Sequence, residues 1–164
     1  LEASFYNSKA IVHPEVGKNG MVVSQHYLAT NVGQAILAEG GNAYDASIAV
    51  AFALAVVLPR AGNIGGGGFM VMFDADSKES YSIDYRETAP EAATKDMFLA
   101  LDGSVDRNRA TQGILSIGVP GTVYGMWEVH KKFGSMPWSK LLAPAIKLAE
   151  EGFLVSPFMA DALN

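Results

Sequence analysis

An arginine at position 86 closes an alternating stretch, Tyr81-Ser-Ile-Asp-Tyr-Arg86, with Asp84 two residues before it. In a strand, successive side chains point to opposite faces. Ser82, Asp84 and Arg86 therefore share one face, and Tyr81, Ile83 and Tyr85 the other. A guanidinium is a planar fork of donors that matches a carboxylate bidentately. Arg86 is thus a candidate for holding a carboxylate-bearing ligand, with Asp84 holding the fork in place. The plainer alternative is an Arg86–Asp84 ion pair or a solvated strand end, which would contribute little. Glu87 falls on the opposite face and is expected to partner loop backbone.

Other chemistry is harder to find. The four glycines 65–68 invite a phosphate-loop reading, but Phe69 stands where a Walker loop needs Gly-Lys-Ser/Thr. A dinucleotide fingerprint fails as well, because its third glycine would be Met70 or Val71 and the run leads from a helix into a strand, the reverse of the required order. Four adjacent glycines instead permit positive φ and close backbone approach, and Asn63 is placed to hydrogen-bond its own loop. His13, His26 and His130 lack metal spacing and read as surface or capping residues. There is no cysteine, so thiolate chemistry, disulfides and Cys-based metal sites are excluded. No Ser or Thr sits in a G-x-S-x-G setting. No catalytic nucleophile, metal or cofactor is assigned to this chain.

The elements that must position Arg86 follow from the pattern around it. Residues 69–73 and 81–85 flank a polar turn at 74–78 and predict an antiparallel hairpin. Upstream, 1–20 is expected to be an irregular arm and 21–24 a short strand. A helix is expected from Ser24 or His26 to Glu39, with Leu28, Val32, Ala35 and Ile36 on one face, ended by Gly40 in the left-handed conformation. Asn42 and Asp45 form a capping-box pattern for a helix that is apolar all round and so must be enclosed. Pro59 ends it. Downstream, 90–111 reads as a long loop with a helical turn near 96–99, a turn at Asp102-Gly103 and a charged, mobile stretch at 106–109. Gly118-Val-Pro-Gly-Thr122 is a tight connection, and Pro120 opens a helix through Lys132. An amphipathic helix over 138–151 has Leu141, Leu142, Ala145, Ile146, Leu148 and Ala149 as its apolar set. Gly152 stops it, and Ser156-Pro157 starts another helix.

Composition bounds the function classes. The 164 residues suit one domain, and 49% are hydrophobic, enough for a sizeable core. The net charge of −5, with both signs scattered, argues against a nucleic-acid partner. The longest apolar run, 46–58, is well short of the roughly 20 residues that a membrane-spanning helix needs.

Taken in order, several blocks resemble the gamma-glutamyltransferase (gamma-glutamyltranspeptidase) family. They are Gly20-Met-Val-Val-Ser24, Leu37-Ala-Glu-Gly-Gly-Asn-Ala-Tyr-Asp-Ala46, Ala61-Gly-Asn-Ile-Gly-Gly-Gly-Gly-Phe69, Asp84-Tyr-Arg-Glu-Thr-Ala-Pro90, Gly118-Val-Pro-Gly-Thr-Val123 and Pro144-Ala-Ile-Lys-Leu-Ala149. The resemblance implies an α/β (α+β) fold, part of the four-layer αββα sandwich of the N-terminal nucleophile hydrolases. Residues 1–164 would be the N-terminal segment of the large subunit, an incomplete domain with 1–20 as its arm. It implies a precursor, or zymogen, that processes itself into two subunits. An enzyme of this kind cleaves the gamma-glutamyl amide of glutathione and related compounds. A glutamyl-enzyme on an N-terminal Thr of the small subunit then passes the glutamyl group to water or to an amino-acid or peptide acceptor. By the same resemblance Arg86 binds the gamma-glutamyl α-carboxylate with Asp84 in support. The segment alone is inactive, and its partners are the rest of the large subunit and the small subunit. A periplasmic or secreted location is implied too. The alternatives are a cephalosporin acylase or poly-gamma-glutamate depolymerase on the same scaffold, or a non-catalytic scaffold chain.

Overall fold

The computed structural model describes residues 16–163. Most of the expected arm, together with His13, therefore lies outside the described residues. Helix α1 (Tyr27–Ala38) is capped by His26, whose Nδ1 accepts the Leu28 N–H at 3.3 Å. It ends where Gly40 takes φ +92°. Its inward face is Ala29, Gly33 and Ile36, and Ala35, expected on that face, is exposed. Gly33 sets the spacing. A methyl group there would lie 2.7 Å from both Val22 and Val50, so only a glycine lets α1 approach its neighbours this closely.

Helix α2 (Ala43–Val57) is the axis of the molecule. Asn42 and Asp45 form the full capping box: Asn42 Oδ1 accepts the Asp45 N–H at 2.9 Å, and Asp45 Oδ2 accepts the Asn42 N–H at 3.1 Å. Only Ala43 and Ser47 along it are exposed, as an all-apolar helix requires. Asp45 is completely buried and reaches further than a cap needs. It also accepts the Ser135 hydroxyl at 2.5 Å and the Ser135 and Met136 N–H groups at 3.1 and 3.4 Å.

The hairpin follows. Strands β1 (Phe69–Asp74) and β2 (Glu79–Asp84) pair antiparallel, with Phe69 opposite Asp84 and Met72 opposite Tyr81. Asp74 organises the turn by accepting the Ser77 hydroxyl and N–H at 2.6 and 3.0 Å. Met70, Met72, Ile83 and Tyr85 pack inward against a core that contains Ile48, Phe52, Met126, Val129 and Leu141. The outer face is open: Phe69, Val71 and Phe73 of β1 are 62%, 82% and 61% exposed, opposite the exposed Asp84, Ser82 and Ser80 of β2.

Three more helices complete the helical layer. These are α4 (Thr122–Phe133), α5 (Trp138–Glu151) and α6 (Pro157–Leu163), preceded by a short α3 (Arg107–Thr111). Helices α1, α4 and α5 all pack against α2. Trp127 and Trp138 meet edge to face at 5.3 Å, at the start of α5. Gly152, with φ +77°, ends α5.

Other expectations change as well, and α4 begins at Thr122, two residues after the Pro120 expected to open it. Residues 21–24 form no strand, because no neighbouring strand offers them a ladder among the described residues. They lie against α1 and α2 instead. Residues 106–109 are not a loose stretch, since Asp106 caps α3 by accepting the Arg109 N–H at 3.1 Å. On α5 only Leu141 and Ala145 are buried, while Ile146 and Ala149 face outward. None of the glycines 65–68 takes positive φ.

Candidate carboxylate-binding site

The glycine run serves close approach. A methyl group on Gly67 would lie 2.6 Å from the Tyr85 carbonyl oxygen, 2.7 Å from Arg86 Cα and 2.8 Å from the Glu87 nitrogen. One on Gly66 would meet Asn63 Oδ1 at 2.7 Å, and one on Gly68 would meet the Tyr85 ring at 2.9 Å. Only Gly65 has open space around it. A second set of glycines closes from the other side. Gly121 presses on the Tyr85 carbonyl, Gly125 on the Tyr85 side chain, and a methyl group on Gly118 would lie 2.9 Å from Glu87 Cβ. Residues 85–87 therefore run between two glycine-lined jaws. Burial raises the pKa of the Tyr85 phenol.

Hydrogen bonds join the jaws. The Tyr85 N–H donates to the Gly68 carbonyl at 3.0 Å, extending the hairpin ladder by one residue. Thr88 and Val119 exchange both backbone bonds, at 3.2 and 2.8 Å. Arg86 and Glu87 stand between these two anchors. Across the gap, the N–H groups of Gly121 and Thr122 donate to the Gly66 carbonyl at 2.8 and 3.1 Å. Asn63 Oδ1 accepts the Gly66 N–H at 3.0 Å, as expected from its place in the loop, and also the Thr122 hydroxyl at 2.6 Å.

Arg86 is exposed, on the same face as Asp84 and Ser82, and Tyr81, Ile83 and Tyr85 point inward. Its backbone N–H donates to Asp84 Oδ1 at 2.9 Å. Asp84 therefore meets the backbone of Arg86. Among the described residues the Arg86 guanidinium is in no ion pair. A charged fork on a fixed backbone, with no carboxylate partner of its own, is chemically suited to bind one from outside. Glu87 lies beside Gly66 and Gly118. His26 is a helix cap, and His130 Nε2 lies 2.8 Å from the Met136 carbonyl oxygen. Among the described residues no cluster of His, Asp or Glu could hold a metal, and no helix is long and apolar enough to cross a membrane.

The sequence pointed to Arg86, Asp84, the glycines and Asn63. It did not reveal the second jaw. The signal was present in the tight Gly118-Val-Pro-Gly-Thr122 connection, but nothing local says that this loop closes on Tyr85 from a distance in sequence.

The family model described as gamma-glutamyltranspeptidase matches residues 29–164. The glutathione hydrolase proenzyme of Pseudomonas sp. (strain A14) is 46% identical over 164 residues, which is 99% of this chain and 28% of that protein. The acylase ACY 1 proenzyme of Pseudomonas sp. (strain V22) is 40% identical over 157 residues, 92% of this chain and 28% of that protein. The crystal structure of Helicobacter pylori gamma-glutamyltranspeptidase aligns with a TM-score of 0.86 at 50% identity, covering 92% of this chain and 43% of that one. The chain thus spans little more than a quarter of the length of these two curated relatives.

Proposed function

The chain belongs to the gamma-glutamyltranspeptidase family and has its mixed α/β fold, and from that premise we propose that it forms part of an enzyme that cleaves gamma-glutamyl amides, glutathione among them. In the proposed reaction a threonine hydroxyl outside these 164 residues attacks the gamma-glutamyl carbonyl. The amide C–N bond breaks, the amine leaves with a proton, and a glutamyl ester remains on the enzyme. Water or the amine of an amino acid or peptide then takes the glutamyl group. This chain supplies scaffold and one binding group: Arg86 pairs with the α-carboxylate of the gamma-glutamyl moiety, and Asp84 steadies the Arg86 backbone.

The observation that carries the binding role is the exposed Arg86 guanidinium on a backbone gripped by glycines, unpaired among the described residues. The 46% identity to a glutathione hydrolase proenzyme supports the activity and self-processing from a precursor. We place the mature protein in the periplasm or outside the cell, with the remainder of the large subunit and a small subunit as its partners.

The 40% identity to an acylase proenzyme keeps a second reading in view. An acylase for non-glutamyl acyl groups has less need of a carboxylate fork. Mass and N-terminal sequencing of each chain in the native preparation, with assay on gamma-glutamyl-p-nitroanilide, tests the proposal. The expected result is a companion chain beginning with Thr and release of p-nitroaniline. A preparation that turns over cephalosporin-type amides but leaves the gamma-glutamyl substrate untouched would favour the acylase.

A further inference from the structure

Arg86 owes its position to its backbone, and that backbone is held by two jaws tied together at one place. Three hydrogen bonds make the tie, the Thr122 hydroxyl to Asn63 Oδ1 and the Gly121 and Thr122 N–H groups to the Gly66 carbonyl, while the Gly66 N–H holds Asn63 Oδ1 within its own jaw. Asn63 and Thr122 are 59 residues apart in sequence. Thr122 is only 7% exposed, and its hydroxyl, at the first turn of α4, is spent on Asn63. Gly67, which follows the tied Gly66, rests on Arg86 Cα, and Gly121, which precedes the tied Thr122, rests on the Tyr85 carbonyl. Loosening the tie therefore opens the gap that fixes Arg86.

We propose that Asn63 and Thr122 are positioning residues that lock the glycine jaws and so set where Arg86 meets the substrate carboxylate. The inference rests on the reading of Arg86 given above. Neither side chain needs to touch substrate. The Asn63–Thr122 bond is the side-chain member of the tie, and replacing its donor by a methyl group keeps the volume while leaving the two bonds to the Gly66 carbonyl to hold the jaws alone. Ground-state binding of the carboxylate should suffer before the chemical step does.

The test uses the complete, processed enzyme and two substrates, gamma-glutamyl-p-nitroanilide and 4-aminobutyryl-p-nitroanilide, which lacks the α-carboxylate. Thr122→Val should raise KM for the first by about 3- to 10-fold, the range expected for one lost hydrogen bond, with kcat little changed. Thr122→Ser, which keeps the hydroxyl, should restore KM. The second substrate should not distinguish these variants from the native enzyme, and Thr122→Val should add little in an Arg86→Ala background. Should Thr122→Val fold poorly, Asn63→Ala at the exposed side of the same bond should give the same split. An unchanged KM in Thr122→Val, where Arg86→Ala raises it, would overturn the lock and spare the reading of Arg86. Equal losses on both substrates would reduce Thr122 to a structural residue and overturn it too. Arg86→Ala without effect on KM would remove the reading beneath the lock, and the lock with it.

Discussion

Around Arg86 the side chain and the backbone are held by different means. The guanidinium is exposed, and the peptide that carries it is wedged between glycines and bonded to Asp84. Space for this wedge exists only because Cβ atoms are missing at chosen positions, so the four glycines of the run should differ sharply in their tolerance of alanine. Gly67→Ala sets a methyl group against backbone atoms that cannot rotate away. Overpacking of this kind costs about 1–3 kcal/mol, and displacement of Arg86 should raise KM for gamma-glutamyl substrates as well. Gly65→Ala meets nothing within 4 Å and should leave both Tm and KM close to native values. Thermal melts and steady-state kinetics on the two variants decide this. Equal effects at 65 and 67 would contradict the packing account.

At the scale of elements, the N-terminus of α2 carries the most concentrated polar network in the core. Burial pushes the Asp45 carboxyl pKa up, but hydrogen bonds from the Ser135 hydroxyl, the Asn42 N–H and the Ser135 and Met136 N–H groups outweigh it and hold the pKa below the ordinary aspartate value of 3.8. A lowered folded-state pKa contributes stability that is fully present above the unfolded value. That contribution declines as pH falls below about 3.8 and is gone once pH passes the folded value. Asp45→Ala should cost on the order of 3 kcal/mol at neutral pH, because it leaves several buried donors without an acceptor. Its Tm should also fall less steeply than the native Tm between pH 5 and about 2. Parallel acid profiles for the two proteins would show that the network does not carry this linkage. The capping box, the stop at Gly40 and the bounds of α5 were legible in the sequence because each is decided within a few residues. The contact through Gly33, the loss of the strand at 21–24, the reach of Asp45 to Ser135 and the second glycine jaw were not. Each depends on a partner distant in sequence or on a ladder that has to be supplied by another strand.

At the scale of the molecule, α2 packs against three helices and shares its core with the inner face of the hairpin, whose outer face leaves three apolar side chains of β1 open. An exposed patch of Phe69, Val71 and Phe73 is the kind of surface that further structure covers, and in the αββα sandwich a second sheet would pack there. Arg86 leaves the same hairpin at its end, beside that open face. The proposed site is thus completed by structure outside this chain, with Arg86 as the contribution of these residues. The most direct measurement of that claim compares Arg86→Ala with the native complete enzyme on gamma-glutamyl-p-nitroanilide and on its 4-aminobutyryl analogue. Loss of a charge-assisted pair worth about 2–4 kcal/mol should raise KM for the carboxylate-bearing substrate by roughly 30- to 1,000-fold and leave the analogue unaffected. Unchanged kinetics on the gamma-glutamyl substrate, or the same loss on both substrates, would contradict the assignment of Arg86 to the α-carboxylate.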